Sequence, residues 1–506
     1  MATTTMSRGV FIFATVSVFL LLGAVAAIAQ TGSVSGVVKS ADTQEVLAGA
    51  NVSILGTKLG AATGADGSYT ISNVPAGTYR LQATFIGYDD RSTPITVTAG
   101  ETATADFLLS ESTIFGSEIV VTGSRRAEKL TDAPVSLSLV TAKELSKVPA
   151  LTYAEALQKA KGVDTYRTGI DNVVLNARGF TTAYNYRFQI LADGKKAHLP
   201  GAGLPAGRGY PVAREDIARM EAILGPSSAL YGPNAHNGLL HIITKHPRDY
   251  PGTTLVAGGG ENSILFGRVR HAQNFDKFAY KVNLAYFLGN DWVKNDTVGV
   301  DNTGKAYMEN QDDDVKNFRT DASMYYLFSP EVEIVASAGY AKYNSITTSN
   351  IGRLQQVEQS YDFEQVRFNS PHFYAQIYRS GNDLGKTHSI ENKVAALIGA
   401  SNAGTPMTED QAIDRVKFVD KGYRMNYEAQ YHTTFYMGSS MLRFIAGIQH
   451  EDTRPNSEGT FLTEGRVNVD DPADSKLKLR QTGIYGQVET EFGERWKFVL
   501  AGRYDT

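Results

Sequence analysis

Alternation of apolar and polar residues dominates the C-terminal half of the chain. Phe278, Tyr280, Val282, Leu284, Tyr286 and Leu288 fall on one face of an extended run, and Lys281 and Asn283 on the other. Phe318, Thr320, Ala322, Met324, Tyr326 and Phe328 oppose Arg319, Asp321 and Ser323 in the same way. Tyr423, Met425, Tyr427, Ala429, Tyr431 and Phe435 oppose Arg424, Asn426, Glu428, Gln430 and His432. Trp496, Phe498, Leu500, Gly502 and Tyr504 oppose Arg495, Lys497 and Arg503. With 253–257, 264–271 and 332–340, about ten strands are predicted. The alternating runs exceed the about nine residues that a tilted strand needs to cross a bilayer, whereas soluble strands average about five or six. Such runs fit a transmembrane barrel with apolar residues outward or a soluble antiparallel sheet with one wet face. Segments 290–315 and 345–420 are predicted to be long polar loops, with a possible strand at 373–378. Asp312, Asp313 and Asp314 lack the spacing of a Ca²⁺ loop and read as a solvated acidic stretch.

Three other patterns lie upstream. Residues 1–29 read as a secretory signal peptide, with Arg8, an apolar run and Ala27-Ile28-Ala29 before Gln30. Residues 30–112 contain short apolar-rich runs at 34–39, 50–55, 68–74 and 78–85. Asp66-Gly67 is a hairpin signal, so this segment is predicted to be a small β-sandwich. A β-prone run, Glu118, Ile119, Val120, Val121, Thr122 and Gly123, precedes a charged linker that ends near 131. Residues 132–247 mix helix and strand. Thr152 is placed to cap a helix through about Lys161, 188–191 and 239–244 read as strands, and 216–224 as a short helix or a helix passing into a strand.

Composition narrows the class. Of 506 residues, 42% are apolar and 20% charged, which excludes a disordered chain. Mean hydropathy is -0.23, and only the N-terminal run is long and apolar enough for a membrane helix, so a polytopic helical protein is excluded. The 48 Gly and 26 Tyr suit a turn-rich β protein. A net charge of -4 gives no support for nucleic acid as a partner. The absence of cysteine removes disulfides, thiol catalysis and Cys-ligated zinc.

Catalytic motifs are missing. The chain contains no HExxH, GxSxG or GxxxxGK[ST]. His236, His241 and His246 recur every five residues, a spacing that does not place neighbours on one strand face, so no metal site is predicted. Gly201, Gly203, Gly207 and Gly209 lack the strand-to-helix setting of a phosphate cradle and read as a flexible loop. No enzyme and no cofactor are expected.

Two ordered sets of residues carry a family resemblance. Gly49 to Val52, Asp66-Gly67-Ser68-Tyr69, Val74 to Tyr79 and Gly87-Tyr88 resemble the carboxypeptidase-regulatory-like domain, a non-catalytic sandwich. Arg178-Gly179-Phe180, Asp193-Gly194, Glu221, Gly225-Pro226, Tyr231-Gly232 and Asn237-Gly238 follow in the order of the plug domain of TonB-dependent outer-membrane receptors. Leu239-Leu240-His241 and His236 depart from the family's usual smaller residues.

The resemblance implies a mainly β chain: an N-terminal β-sandwich, an α+β plug domain and an antiparallel transmembrane β-barrel occupying 248–506. Family barrels have about 22 strands around a plugged lumen. About ten strands here therefore imply a chain that ends part-way round the barrel. The resemblance makes Glu118 to Gly123 a Ton box within 113–131, the segment that pairs with a TonB-type energy-transducing protein. It places the barrel in outer-membrane lipid, with sandwich and Ton box in the periplasm. The implied activity is uptake of a scarce small ligand: an iron chelate such as a ferric siderophore first, then cobalamin, haem or a glycan. Thr182, Tyr184, Asn185, Tyr186 and His198 are the candidate ligand-facing residues, polar or aromatic without periodicity. A passive barrel-anchored binding or adhesion protein is the competing function.

Overall fold

The computed structural model describes residues 31–110 except 42, 58, 86–87 and 89; 119–120 and 128–129; and 136–506 except 180–181, 184, 186, 226–227, 233–234, 293–296, 310, 350–351, 438–439, 458–459, 461–477 and 493–495. The predicted signal peptide lies outside the described residues. Among these residues no helix is long and apolar enough to cross a membrane. The chain divides into two compact units, one up to about residue 133 and one beyond it.

The first unit is built on strand Thr31–Ser40, where every second residue from Val34 is buried. It pairs antiparallel with Ser68–Pro75 and parallel with Thr102–Thr104 and Phe107–Leu109. A second sheet runs Gly60–Ala62, Asn51–Ile54, Gly77–Thr84, Arg91–Val97. Pro94 lies on the edge strand of that sheet, where its missing N–H costs no ladder bond. Val34, Val38, Val52, Ile54, Ile71, Leu81 and Phe107 fill the core. The turn at Asp66-Gly67 differs from the predicted hairpin. It joins strands of different sheets, and of the two residues only Gly67 has positive φ, +73°. A type I′ hairpin turn needs both.

The second unit starts with a five-stranded mixed sheet ordered Leu137–Thr141, Ile217–Leu224, Gly238–Thr244, Phe188–Ala192, Lys195–Lys196. Gly238 lets two strands close up, since a Cβ there would lie 2.4 Å from the Ile223 carbonyl oxygen and 2.8 Å from the Phe188 ring. In segment 216–224 the helical part is only Asp216, the end of the 3₁₀ turn Arg214–Asp216, which passes directly into strand Ile217–Leu224. Leu137–Thr141 and Gly238–Thr244 flank Ile217–Leu224 and satisfy its backbone on both edges, which overrides the helical spacing. Thr152 caps no helix: Ala154–Lys159 is a short 3₁₀ turn without a side-chain cap, and the Thr152 hydroxyl has no partner.

Around this sheet runs a twelve-stranded wall. Eleven strands from Gly252–Gly260 to Trp496–Asp505 each pair antiparallel with the next, and His388–Ser389 adds to Gly352–Asn369. Burial is inverted relative to a soluble sheet. In Phe278–Asn290, Lys281 and Asn283 are 1% exposed, whereas Val282, Leu284 and Tyr286 are 44–45% exposed. Turns at one end are two or three residues long, as at 276–277, 330–331 and 370–372. The other end carries the segments 291–313 and 384–422.

Those segments are more ordered than predicted. Hairpin Thr297–Val300/Ala306–Met308 occupies the first. The predicted loop 345–420 is mostly regular structure: ends of Val332–Ser349 and Gly352–Asn369, all of Phe373–Asp383, and helices Ile390–Asn402 and Glu409–Val416. The apolar alternation fades in these stretches while the backbone ladder continues. Ser389 caps the first helix, and Thr408 with Gln411 forms a capping box on the second.

An outward-facing charge therefore acts against lipid burial. Leu284→Arg should lower the stability of the folded barrel by about 2–4 kcal/mol, read as denaturant-dependent folding into lipid vesicles. Leu284→Val should leave it nearly unchanged.

Candidate functional site

Polar residues on the inner face of the wall meet the plug sheet through charges. Asp216, fully buried at the start of strand Ile217–Leu224, accepts from Arg270 Nε at 2.8 Å and Lys281 Nζ at 2.7 Å. Lys281 also donates to Thr244 Oγ1 at 2.5 Å and to the Lys245 carbonyl at 3.0 Å. Next to it, Arg268 pairs with Glu215 at 3.0 Å and donates to the Leu151 carbonyl at 2.8 Å. Across the sheet, Lys196 pairs with Glu451 at 2.6 Å, and Arg424 holds the same carboxylate at 3.0 Å. Arg208 binds Asp171, Ser345 and the Ile346 carbonyl, and Asn317 reaches Asp171 at 3.3 Å. Apolar contacts cross as well: Tyr210 stacks on Phe363 at 5.9 Å and tilts against Tyr361 at 5.5 Å, Ile170 packs with Phe287 and Val315, and Leu191, Ile223 and Leu239 cluster with Ile445 and Tyr485.

Asp193-Gly194 forms the tight turn after Phe188–Ala192, with φ of +45° and +84°. The Asp193 carboxylate accepts from Thr244 N–H at 3.0 Å and Thr244 Oγ1 at 2.8 Å. Burial acts to raise this carboxyl, but Lys195, Lys281 and Arg367 outweigh it and hold it well below the usual range. Burial lowers the Lys195 ammonium to about 8 against the pull of Asp193. Lys195 donates to Gln365 at 2.8 Å and lies 4.6 Å over the Phe363 ring.

The other predicted residues are spread over this unit. Arg178 donates to the Leu224 carbonyl at 3.0 Å, and Gly179 N–H to Asp164 at 3.1 Å. Glu221 is fully buried beside Arg219, 2.7 Å away. Gly225 N–H bonds the Asn237 carbonyl at 3.0 Å; Tyr231 is buried, and Gly232 faces Arg503. Thr182 is exposed, whereas Asn185 and His198 are buried. Both ring nitrogens of His198 lack partners, and burial first, then Arg424 and Lys196, depress its pKa to about 3. Phe180, Tyr184, Tyr186 and Pro226 lie outside the described residues. So do Glu118, Val121, Thr122 and Gly123; Ile119–Val120 pairs antiparallel with Glu128–Lys129. His241 accepts from Gly194 N–H at 3.3 Å, and His236 is exposed. Among the described residues no group of His, Asp and Glu could hold a metal ion.

The Gly-rich stretch 201–209 is not a free loop. Its residues pack against the wall, where a Cβ on Gly209 would lie 2.5 Å from the Tyr343 ring. Between this stretch and the long-segment end of the wall lies a cavity of about 330 Å³. Sequence reading missed Asp171, Arg208, Asp216, Arg270 and Asp291. Only their polar type was visible, because their partners lie far away in the chain, as with Ile170 N–H on Asp291 at 3.2 Å.

Two protein families match the chain. Residues 34–121 match the CarboxypepD_reg-like domain, and residues 129–239 the TonB-dependent Receptor Plug Domain. Solved structures share the fold. The siderophore receptor PirA from Acinetobacter baumannii is 16% identical, with a TM-score of 0.51 over 73% of this chain and 56% of that one. The hemophore receptor HasR of Serratia marcescens, a double mutant solved with its hemophore HasA and heme, is 13% identical, with a TM-score of 0.51 over 74% and 52%. The copper transporter OprC is 15% identical, with a TM-score of 0.50 over 73% and 55%. The chain thus spans a little over half the length of these proteins.

The chain thus carries a TonB-dependent receptor plug domain and shares its fold with a siderophore receptor and a copper transporter. Ahead of the plug domain it carries a CarboxypepD_reg-like domain.

Asp216 ties plug to wall, and its removal leaves two buried cations without their carboxylate. Asp216→Ala should cost about 3–5 kcal/mol, read as faster amide hydrogen exchange in strands Ile217–Leu224 and Gly238–Thr244. Unchanged exchange there would contradict the role of this pair.

Proposed function

We propose that this receptor imports a scarce small ligand, a ferric siderophore first, across the bacterial outer membrane by energy-coupled rearrangement of its plug. The observation that carries the proposal is the chemistry of the plug–wall interface. Ion pairs cross it at Asp216 and Glu451, and Arg208 reaches Ser345 and the Ile346 carbonyl of the wall. Buried ion pairs contribute little net stability, because desolvation offsets their attraction. Water entering the seam can replace each contact as the plug shifts, which an apolar core would not permit.

The proposed organisation is signal peptide 1–29, sandwich 30–112, Ton box and linker 113–131, plug 132–247 and barrel 248–506. Sandwich and Ton box face the periplasm. Ligand enters at the end bearing the long segments, the pattern of outward loops in outer-membrane barrels. A TonB-type protein adds a strand to Glu118, Ile119, Val120, Val121, Thr122 and Gly123, and backbone hydrogen bonds transmit its pull. The similarity to a siderophore receptor and a hemophore receptor supports a chelated-iron ligand.

Deleting 118–123 separates import from passive binding. With a panel of radio-iron-labelled hydroxamate and catecholate siderophores, cells should lose energy-dependent uptake of the accepted chelate and keep its surface binding. Uptake that persists unchanged would overturn the proposal in favour of a passive binding protein.

A further inference from the structure

The outward side of the wall is not uniformly ridged. Ala322, Ala338, Glu364 and Arg379 stand side by side in successive strands, on the side that exposed Met324, Val366 and Ile377 share. Ala322, Ala336 and Ala338 are too short to fill the space between Met324 and Val366, and a groove of about 460 Å³ opens over them. Ile377 and Met425 close its far side.

One end of the groove carries charge. Arg379 Nη1 donates to Asp362 and, at 3.2 Å, to Glu364. Both bonds use one nitrogen, which leaves Nε and Nη2 of the guanidinium fork for an acceptor from outside. The Glu364 side chain is 58% exposed. Neighbouring charges are already matched: Lys342 pairs with Glu358 at 3.1 Å, and Lys421 lies 3.8 Å from Asp383. Asp362 and Glu364 thus share Arg379. Charges on the lipid side of a barrel are costly at the midplane and tolerated near the interfaces, so this end of the groove lies at headgroup level.

A void against lipid forfeits dispersion contacts. A cavity of about 150 Å³ already holds one benzene, so the groove has room for a length of acyl chain. Its charged end selects the headgroup. A phosphate alone would gain Arg379 but also meet two carboxylates. An amine alone would gain Glu364 but also meet Arg379. We propose that the groove seats one chain of a zwitterionic phospholipid, phosphatidylethanolamine, with its phosphate on Arg379 and its ammonium on Glu364. These two residues are direct cross-strand partners, with Cβ atoms about 5 Å apart, a separation that suits the adjacent charges of one headgroup. The inference rests on the wall standing in outer-membrane lipid and not on which ligand is imported.

The test uses the full receptor, extracted from outer membranes and freed of lipid by detergent exchange. Native mass spectrometry reads its binding of dioleoyl phosphatidylethanolamine, of dioleoyl phosphatidylglycerol, which is anionic with the same chains, and of lipid A. The first should bind about tenfold tighter than the second, the scale of one hydrogen bond to a charged group. In Glu364→Gln the two should bind alike. Ala338→Phe, which fills the groove, should abolish binding of both. Heat-modifiable gel mobility checks that each variant folds; Glu364→Gln keeps the apolar packing and reads the headgroup contact by itself. Phosphatidylglycerol or lipid A bound by the native receptor as tightly as phosphatidylethanolamine, or undiminished binding by folded Ala338→Phe, would overturn the inference. Because lipid binding is read on purified receptor, it stands or falls apart from uptake by cells.

Discussion

A sheet that spans lipid must turn most of its apolar side chains outward, and this leaves a largely polar face to hold what sits inside. Phe278–Asn290 shows the constraint in one strand, with Val282, Leu284 and Tyr286 outward and Lys281 and Asn283 buried inward. The plug therefore cannot be docked chiefly by hydrophobic burial. It is docked by the groups that the inner face has to offer, and these are charges and amides. Inward apolar side chains add local anchors: Tyr210 between Tyr361 and Phe363, Ile170 with Phe287 and Val315, and Leu191, Ile223 and Leu239 with Ile445 and Tyr485.

This inversion shapes the energetics of the whole unit. Each wall strand is stabilised by its ladder and by lipid on the outside, and neither depends on the plug. The plug keeps its own sheet, and its core around Leu157, Ile190, Met220 and Ile242 extends to Tyr361 and Phe363 of the wall. The polar contacts that join the two can be exchanged for water one by one. Two bodies that are each stable, with a polar seam between them, can move relative to one another without either unfolding. Energy-coupled transport without covalent chemistry has that physical requirement.

Legibility in the sequence followed the reach of each interaction. The alternation at 278–288 was visible because side-chain direction repeats every two residues, and it fixed both the strand and its buried face. The turn at Asp193-Gly194 and the close approach at Gly238 were visible because backbone geometry demands small or turn-forming residues locally. Segment 217–224 was ambiguous, since Ile217, Met220, Ile223 and Leu224 suit a helix until two neighbouring strands claim their backbone. Residues 345–369 read as loop because the apolar alternation fades there while the strand keeps its partners. The Asp216–Lys281 pair was illegible as a pair. Lys281 was placed on the polar face, but nothing local names a carboxylate 65 residues away. The cavity was hidden for the same reason, being walled by residues from 172 to 418.

The central claim is that the plug–wall seam yields before the wall does. Pulling by single-molecule force on a handle at residue 120, with the receptor held in a lipid bilayer, tests it most directly. The account predicts plug extension in discrete steps at low force while strands Gly252–Gly260 to Trp496–Asp505 stay folded. Extraction of wall strands before or together with the plug would contradict it.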